Sequence, residues 1–241
     1  MSKKMFIHGG SSLITKFLIK EFSREFEEFY IFCRNKNKVY EITDINKYTN
    51  NKFFLYENDL DNLDKTIEDI NKLPNDLDGI LWVTGNSGNS EKEIENTNYC
   101  KKILNINFVN IALVNNLLLD KINLNKNSFI CAITSVAGLR GRYKRLHYCA
   151  AKSDLISYMS GLRQKYNGII KVITVIPGYI STNTFDIDAP KILITSPEKC
   201  AQKIFRSIKK NQDIIYINYF WKLIMFLVLL MPENIFKKMK F

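Results

Sequence analysis

What most constrains the fold of this chain is an alternation of short, unbroken apolar runs with longer stretches of helical period. The runs are Lys4 to His8, Phe29 to Cys33, Phe53 to Glu57, Ile80 to Val83, Phe129 to Thr134 and Val172 to Ile176. Each is too short to make a helix and is apolar on successive residues, as a strand buried on both faces must be. Between them Leu13, Phe17, Leu18 and Phe22 recur at helical spacing, and further helices are predicted near 62–73, 93–119, 147–165 and 197–210. Strands separated by helices pair in parallel through crossover connections, so the expected fold class is α/β with a doubly wound parallel sheet. No Pro/Gly/Ser-rich linker or internal repeat divides it. Residues 1–218 therefore read as one sheet domain, and residues 219–241 as a C-terminal apolar extension.

A share of 46% hydrophobic and 24% charged residues excludes disorder or coiled coil as a global description. The five cysteines, at 33, 100, 131, 149 and 200, form no Cys-x-x-Cys pair, so neither a disulfide framework nor a metal site is expected and a reducing, cytoplasmic setting is. The apolar stretch at the amino end is too short for a secretion signal. The net charge of +11 comes from lysines scattered along the whole chain, and no nucleic-acid-binding module accompanies them. Nucleic acid is therefore not an expected partner.

The turn Gly9-Gly10-Ser11-Ser12-Leu13-Ile14-Thr15 links the first strand to the first helix, where a doubly wound, Rossmann-type fold binds a dinucleotide. Glycine allows a tight turn and close backbone approach, and a helix N-terminus offers amides and positive dipole to a pyrophosphate. Gly9, Ser11, Ser12 and Ile14 are the candidate contacts. An acidic residue after the second strand would take the ribose 2′-hydroxyl of NAD, whereas a cation suits the 2′-phosphate of NADP. Here the strand ends Cys33-Arg34-Asn35-Lys36, so NADP(H) is expected over NAD(H), with Arg34 the contact. Asp59 and Leu60, just past the third strand, are candidates for the adenine, although a helix N-cap accounts for Asp59 equally well.

Tyr148 and Lys152 stand four apart, one helical turn on the same face. Ser135, thirteen residues upstream, ends an apolar strand at the sheet edge where ligands bind. A tyrosine titrates near 10, and an adjacent ammonium would bring the phenol toward the working range of a proton donor.

In this ordered set the chain resembles the short-chain dehydrogenase/reductases, from Gly9 through Asp59, Gly85, Asn107, Ser135, Tyr148 and Lys152 to Pro177-Gly178-Tyr179-Ile180-Ser181-Thr182. The resemblance implies that Asn107, Ser135, Tyr148 and Lys152 are catalytic. Tyr148 would protonate the substrate oxygen, Ser135 would hydrogen-bond it, and Asn107 would support a water relay toward Lys152. Tyr148 and Lys152 would also meet the cofactor, Lys152 at the nicotinamide ribose. Gly85, Pro177, Gly178, Ile180 and Thr182 would complete the cofactor site, and assembly as a homo-oligomer is implied. The pattern departs from the family at Leu13 and Thr15, where later glycines are usual, and at Trp82-Val83-Thr84-Gly85, where Asn-Asn-Ala-Gly is common.

Within the family the chain is most similar to lipid-linked keto-sugar reductases, the decaprenylphosphoryl-2-keto-ribose reductase type. The likeness lies in the Gly9-Gly10 loop and in the ending from Trp221 to Lys238. It implies a polyprenyl-phosphate-linked 2-keto-pentose substrate, a flavin oxidase partner that makes the ketone, and a place at the inner face of the membrane. A reductase of another carbonyl, such as a 3-oxoacyl thioester or a soluble keto-sugar, and a non-catalytic binding subunit are the alternatives. Arg140 to Arg145 carries four cations in six positions, read either as a solvated loop or as an anion clamp. For the apolar run Leu223 to Met231, three readings stay open: a strand at Ile214 to Ile217 followed by a buried helix packed on the sheet, a spanning helix, or a helix on a membrane surface with Tyr219, Phe220 and Trp221 at headgroup level and Lys237, Lys238 and Lys240 facing anionic lipid.

Overall fold

The computed structural model describes residues 2–89, 92, 96–181 and 189–239. The apolar runs become strands β1 (Lys4–His8), β2 (Glu28–Cys33), β3 (Lys52–Glu57), β4 (Gly79–Trp82), β5 (Phe129–Ile133) and β6 (Lys171–Ile176), followed by β7 (Tyr179–Ile180), β8 (Ile194–Thr195) and β9 (Ile214–Tyr216). Seven of them form one sheet in the order β3-β2-β1-β4-β5-β6-β9, every pair parallel. The expected doubly wound α/β fold is the one found. The strand order reverses between β1 and β4, which opens a crevice at their carboxyl ends.

The helices are α1 (Leu13–Phe22), α2 (Lys36–Thr43), α3 (Leu63–Asn71), α4 (Thr97–Leu104), α5 (Asn110–Leu119), α6 (Leu146–Lys165), α7 (Pro197–Lys209), α8 (Tyr219–Leu230) and α9 (Glu233–Phe236). A π-helical stretch, Asn105–Val109, joins α4 to α5. On one face α1 and α7 bury Leu18, Phe22 and Ile204 against Ile31, Phe129 and Ile173. On the other, α5 and α6 bury Val114, Leu118, Leu155 and Met159 against Phe6, Ile80, Ile130 and Val172. Burial on both faces is why β1, β2, β4, β5 and β6 read as continuous apolar runs, whereas β3, at the sheet edge, is half-exposed despite its apolar sequence.

Helix α2 was not among the expected elements. Only Val39 and Thr43 of it are buried, so its apolar period is faint, and its start is set by Asn35, whose side chain accepts from Lys38 N at 3.2 Å.

The strand expected over Ile214 to Ile217 is found as β9, and the apolar run becomes helix α8. Helix α8 buries only Trp221 and Met225, so it is not a core helix. Its twelve residues rise about 18 Å, well short of the ~30 Å hydrocarbon layer. Trp221 and Met225 join Val136 and Ile176 in a small cluster, while Tyr219, Phe220, Leu223, Phe226, Leu227 and Leu230 remain exposed.

Candidate active site

Ser135 leaves β5 at its carboxyl end and caps a single 3-10 turn, Val136–Gly138, its Oγ accepting from Ala137 N at 3.1 Å. That turn lies directly on the backbone of α6. A Cβ at Gly138 would sit 2.6 Å from the carbonyl carbon of Lys152 and 2.7 Å from its oxygen. Gly138 therefore sets the spacing between Ser135 and the helix that carries Tyr148 and Lys152. Sequence reading missed it as a site residue, and its only signal is a glycine three positions after the serine.

Lys152 is buried, and its ammonium donates to Ile133 O at 3.1 Å. Asn107 sits within the π stretch, a feature often found at functional sites. Its Nδ2 donates to Asn86 O and to Ile103 O, both at 2.8 Å, and its Oδ1 accepts from Asn86 N at 3.1 Å. An oxygen of this kind can accept twice. A Cβ on Gly85 would lie 3.4 Å from that Oδ1 and 3.5 Å from Lys152 Nζ, so both groups face Gly85.

Tyr148 lies one turn before Lys152, with Nζ 6.0 Å from the centre of its ring. The ammonium expected to pull the phenol down is not the leading influence on it. Burial is the largest influence on Tyr148 and raises its pKa, while a hydrogen bond with Ser135 and the charges of Arg142 and Arg145 pull weakly the other way. Burial also lowers Lys152 to about 8, which weakens the cation held responsible. At neutral pH the phenol keeps its proton. That is the state an acid needs before it acts.

On the cofactor side, Gly9 has φ +104°, and a Cβ there would meet Thr84 N at 2.8 Å. The amides of Gly9 and Gly10 both donate to Phe32 O at 3.0 Å, folding the turn over the end of β2. Ser12 caps α1 by accepting from Ile14 N at 3.3 Å, Ile14 itself is buried, and Ser11 Oγ donates to Asn35 O at 3.5 Å. Thr15, one departure from the family pattern, is buried and donates to Gly9 O at 2.8 Å. A hydroxyl thus ties down the turn where the family relies on glycine. A left-handed glycine and a capped helix start at the β1/β4 crevice fit the pyrophosphate of a dinucleotide.

Arg34 is exposed immediately past β2. Asp59 accepts from Asp61 N at 3.2 Å and lies 4.0 Å from Lys102 Nζ, so it is not a helix cap; Asn62 holds that position at the start of α3. Leu60 is buried, and its carbonyl accepts from Asn110 Nδ2 at 2.7 Å. The other departure is explained by His8. Buried and stacked on Trp82, it meets Thr84 Oγ1 through Nδ1 and Asn58 Oδ1 through Nε2 at 3.4 Å, tying together the ends of β1, β3 and β4. Burial lowers its pKa to about 4, so it stays neutral.

Pro177 follows β6 and its carbonyl accepts from Val136 N at 3.0 Å. Gly178 lies against the indole of Trp221, leaving no room for a Cβ, and Trp221 Nε1 donates to Leu193 O at 2.9 Å. Ile180 pairs with Thr195 between β7 and β8, and Thr182 lies outside the described residues. A cavity of about 370 Å³ opens between the Val136–Gly138 turn, Tyr179 and the inner face of α8 and α9. Arg140 lines it but cannot serve as an anion clamp. Its Nη1 donates to Val228 O and to Met231 O (2.7 Å), its Nη2 donates to Glu233 Oε2 (2.9 Å), and its guanidinium stacks on Phe236. It closes the carboxyl end of α8.

A family model described as short chain dehydrogenase matches residues 3–191. The 11-beta-hydroxysteroid dehydrogenase-like 2 protein of Arabidopsis thaliana is 20% identical over 227 residues, 88% of this chain and 72% of that protein. Among solved structures, the 3-oxoacyl-[acyl-carrier protein] reductase from Brucella melitensis in complex with NAD superposes with a TM-score of 0.77 at 15% identity, covering 92% of this chain and 98% of that one. ElxO with NADP bound superposes at 0.76 and 21% identity, covering 92% of this chain and 100% of its own.

Proposed function

The chain belongs to the short-chain dehydrogenase family and is an oxidoreductase of that family, and from this premise we propose that it uses NADPH to reduce a ketone to an alcohol. The observation that carries the reading is the group of half-buried Ser135 and Tyr148 with buried Lys152 and Asn107, gathered near the carboxyl end of β5, with the phenol held protonated. When bound, the nicotinamide cofactor supplies a hydride to the carbonyl carbon. Ser135 hydrogen-bonds the carbonyl oxygen and sets its distance from the phenol. Tyr148 gives that oxygen its proton as negative charge develops there. Lys152 stabilises the phenolate left behind, and Asn107 supports a water relay toward Lys152 that returns the proton. Gly9, Ser11 and the start of α1 hold the pyrophosphate. Arg34, followed by Lys36 and Lys38 with no acid among them, favours the 2′-phosphate of NADPH.

For the substrate we favour a ketone carried on a lipid, a polyprenyl-phosphate-linked 2-keto-pentose delivered by a flavin oxidase. Two features support this. The cavity is walled by the inner side of α8, and the outer side of the same helix is exposed and apolar, with Lys222, Lys237 and Lys238 nearby, as a helix resting on an anionic membrane would be. The test is NADPH oxidation with that ketone, comparing the protein with Tyr148→Phe. Turnover should fall at least ~100-fold, the scale of a lost general acid, with NADPH binding retained. Unchanged turnover would remove Tyr148 from the chemistry.

A further inference from the structure

The four cations of the 140–145 segment do not share one fate, and one of them is left unsatisfied. Arg140 is committed to the end of α8. Lys144 Nζ lies 5.4 Å over the Tyr143 ring on the exposed side, and Arg145 precedes α6 in the left-handed region with φ 61°. Arg142 differs from all three: it lines the cavity, and its Nε is buried with no hydrogen-bond partner. A guanidinium cannot shed its charge at any pH a protein survives. A buried, unpartnered donor on such a group is costly to leave unmade, so the folded chain keeps a strong incentive to accept an anion there.

The surroundings say what kind of anion. Apart from Arg140 and Arg142 the described lining is apolar, including Tyr179, Trp221, Met225 and Val228, and no carboxylate among the described residues lines it. Arg142 also acts electrostatically on Tyr148, so its charge is felt at the proton-donating phenol. We propose that Arg142 is the anion-binding residue of the substrate cavity, and that the cavity takes a molecule joining one phosphate or carboxylate group to an apolar body. This deepens the proposed function, on which it rests, by assigning the charged end of the substrate to a single guanidinium. A guanidinium binds either oxyanion through paired N–H donors, and the apolar walls hold the rest.

The experiment is calorimetric titration of the full chain with octyl phosphate, octanoate and octanol, repeated with Arg142→Gln and Arg142→Lys. Wild type should bind at least one anion ten or more times tighter than octanol. In Arg142→Gln that ratio should collapse toward one, and Arg142→Lys should restore part of it. Tighter binding of the phosphate would identify a phosphate ester as the natural group, and tighter binding of octanoate a carboxylate. Equal affinity for all three probes in the wild type, no binding of any of them, or an unchanged ratio in Arg142→Gln would overturn the proposal. No turnover is needed for this readout, so loss of the reductase reading in the Tyr148→Phe comparison and loss of the anion site are separate results.

Discussion

Replacing Gly138 with alanine probes the join between the two halves of the catalytic group. The new Cβ would begin 2.6 Å from the carbonyl carbon of Lys152, in backbone that cannot rotate away. An ordinary carbon–carbon contact is about 3.5–4.0 Å, so the turn bearing Ser135 and the helix bearing Tyr148 must part by roughly 1 Å. Overpacking of this kind costs about 1–3 kcal/mol, or a fall in melting temperature of roughly 2–10 °C for a chain of this size. The larger effect is on rate, because a displacement of about 1 Å between groups acting on one substrate can cost ~100-fold. Gly161→Ala is the control. It lies on the same helix, a Cβ there meets nothing within 4 Å, and alanine should stabilise the helix by about 0.5–1 kcal/mol. Thermal unfolding and kcat for the two variants decide the matter. Should Gly138→Ala melt and turn over like Gly161→Ala, the turn does not set the Ser135–Tyr148 spacing.

Stability should respond to pH at two places. Lys152 titrates near 8 when folded and near 10.5 when unfolded, so the unfolded chain binds the extra proton between those values. Stability therefore rises with pH across that window, and Lys152→Met should flatten the slope of denaturant midpoint against pH. His8, near 4 folded and 6.5 unfolded, gives the same sign lower down: stability falls as pH drops from 6.5 toward 4, and His8→Gln should blunt the fall. The reduction rate should decline above about pH 8, where Lys152 loses its charge while Tyr148 keeps its proton. Arg34→Glu should lower the ratio of kcat/KM for NADPH to that for NADH by ten-fold or more, and an unchanged ratio would take Arg34 out of the cofactor site.

The parallel sheet was legible because its strands are buried on both faces, which forces the runs Phe29 to Cys33 and Phe129 to Ile133 to be apolar without interruption. The Tyr148–Lys152 pair was legible because a helix fixes four-residue spacing onto one face. Less local facts were not. How far burial weakens Lys152 as a partner of Tyr148 depends on Ile133 and Gly85, which approach it from distant parts of the chain, and spacing along one helix carries none of that. The basic loop shows the same limit. Composition marked four cations, but only packing reveals that Arg140 caps α8 while Arg142 stays unsatisfied. Helix α2 escaped notice because two buried residues are too few to set a period.

The contact between Gly178 and Trp221 links the part of the chain that the family model matches to the tail beyond it. Gly178 belongs to the loop after β6, within the matched residues 3–191, whereas Trp221 lies beyond them. Any larger residue at 178 would drive the indole out of its place, and with it the hydrogen bond to Leu193 O and the seating of Met225 against Val136 and Ile176. The inner face of α8 is thus positioned by the same loop that the family resemblance places over the nicotinamide. A chain built this way can keep its proton and hydride chemistry constant while α8 shapes the apolar part of what the cavity accepts. Substrate preference in this protein should therefore follow changes in α8, and the pH dependence of reduction should not.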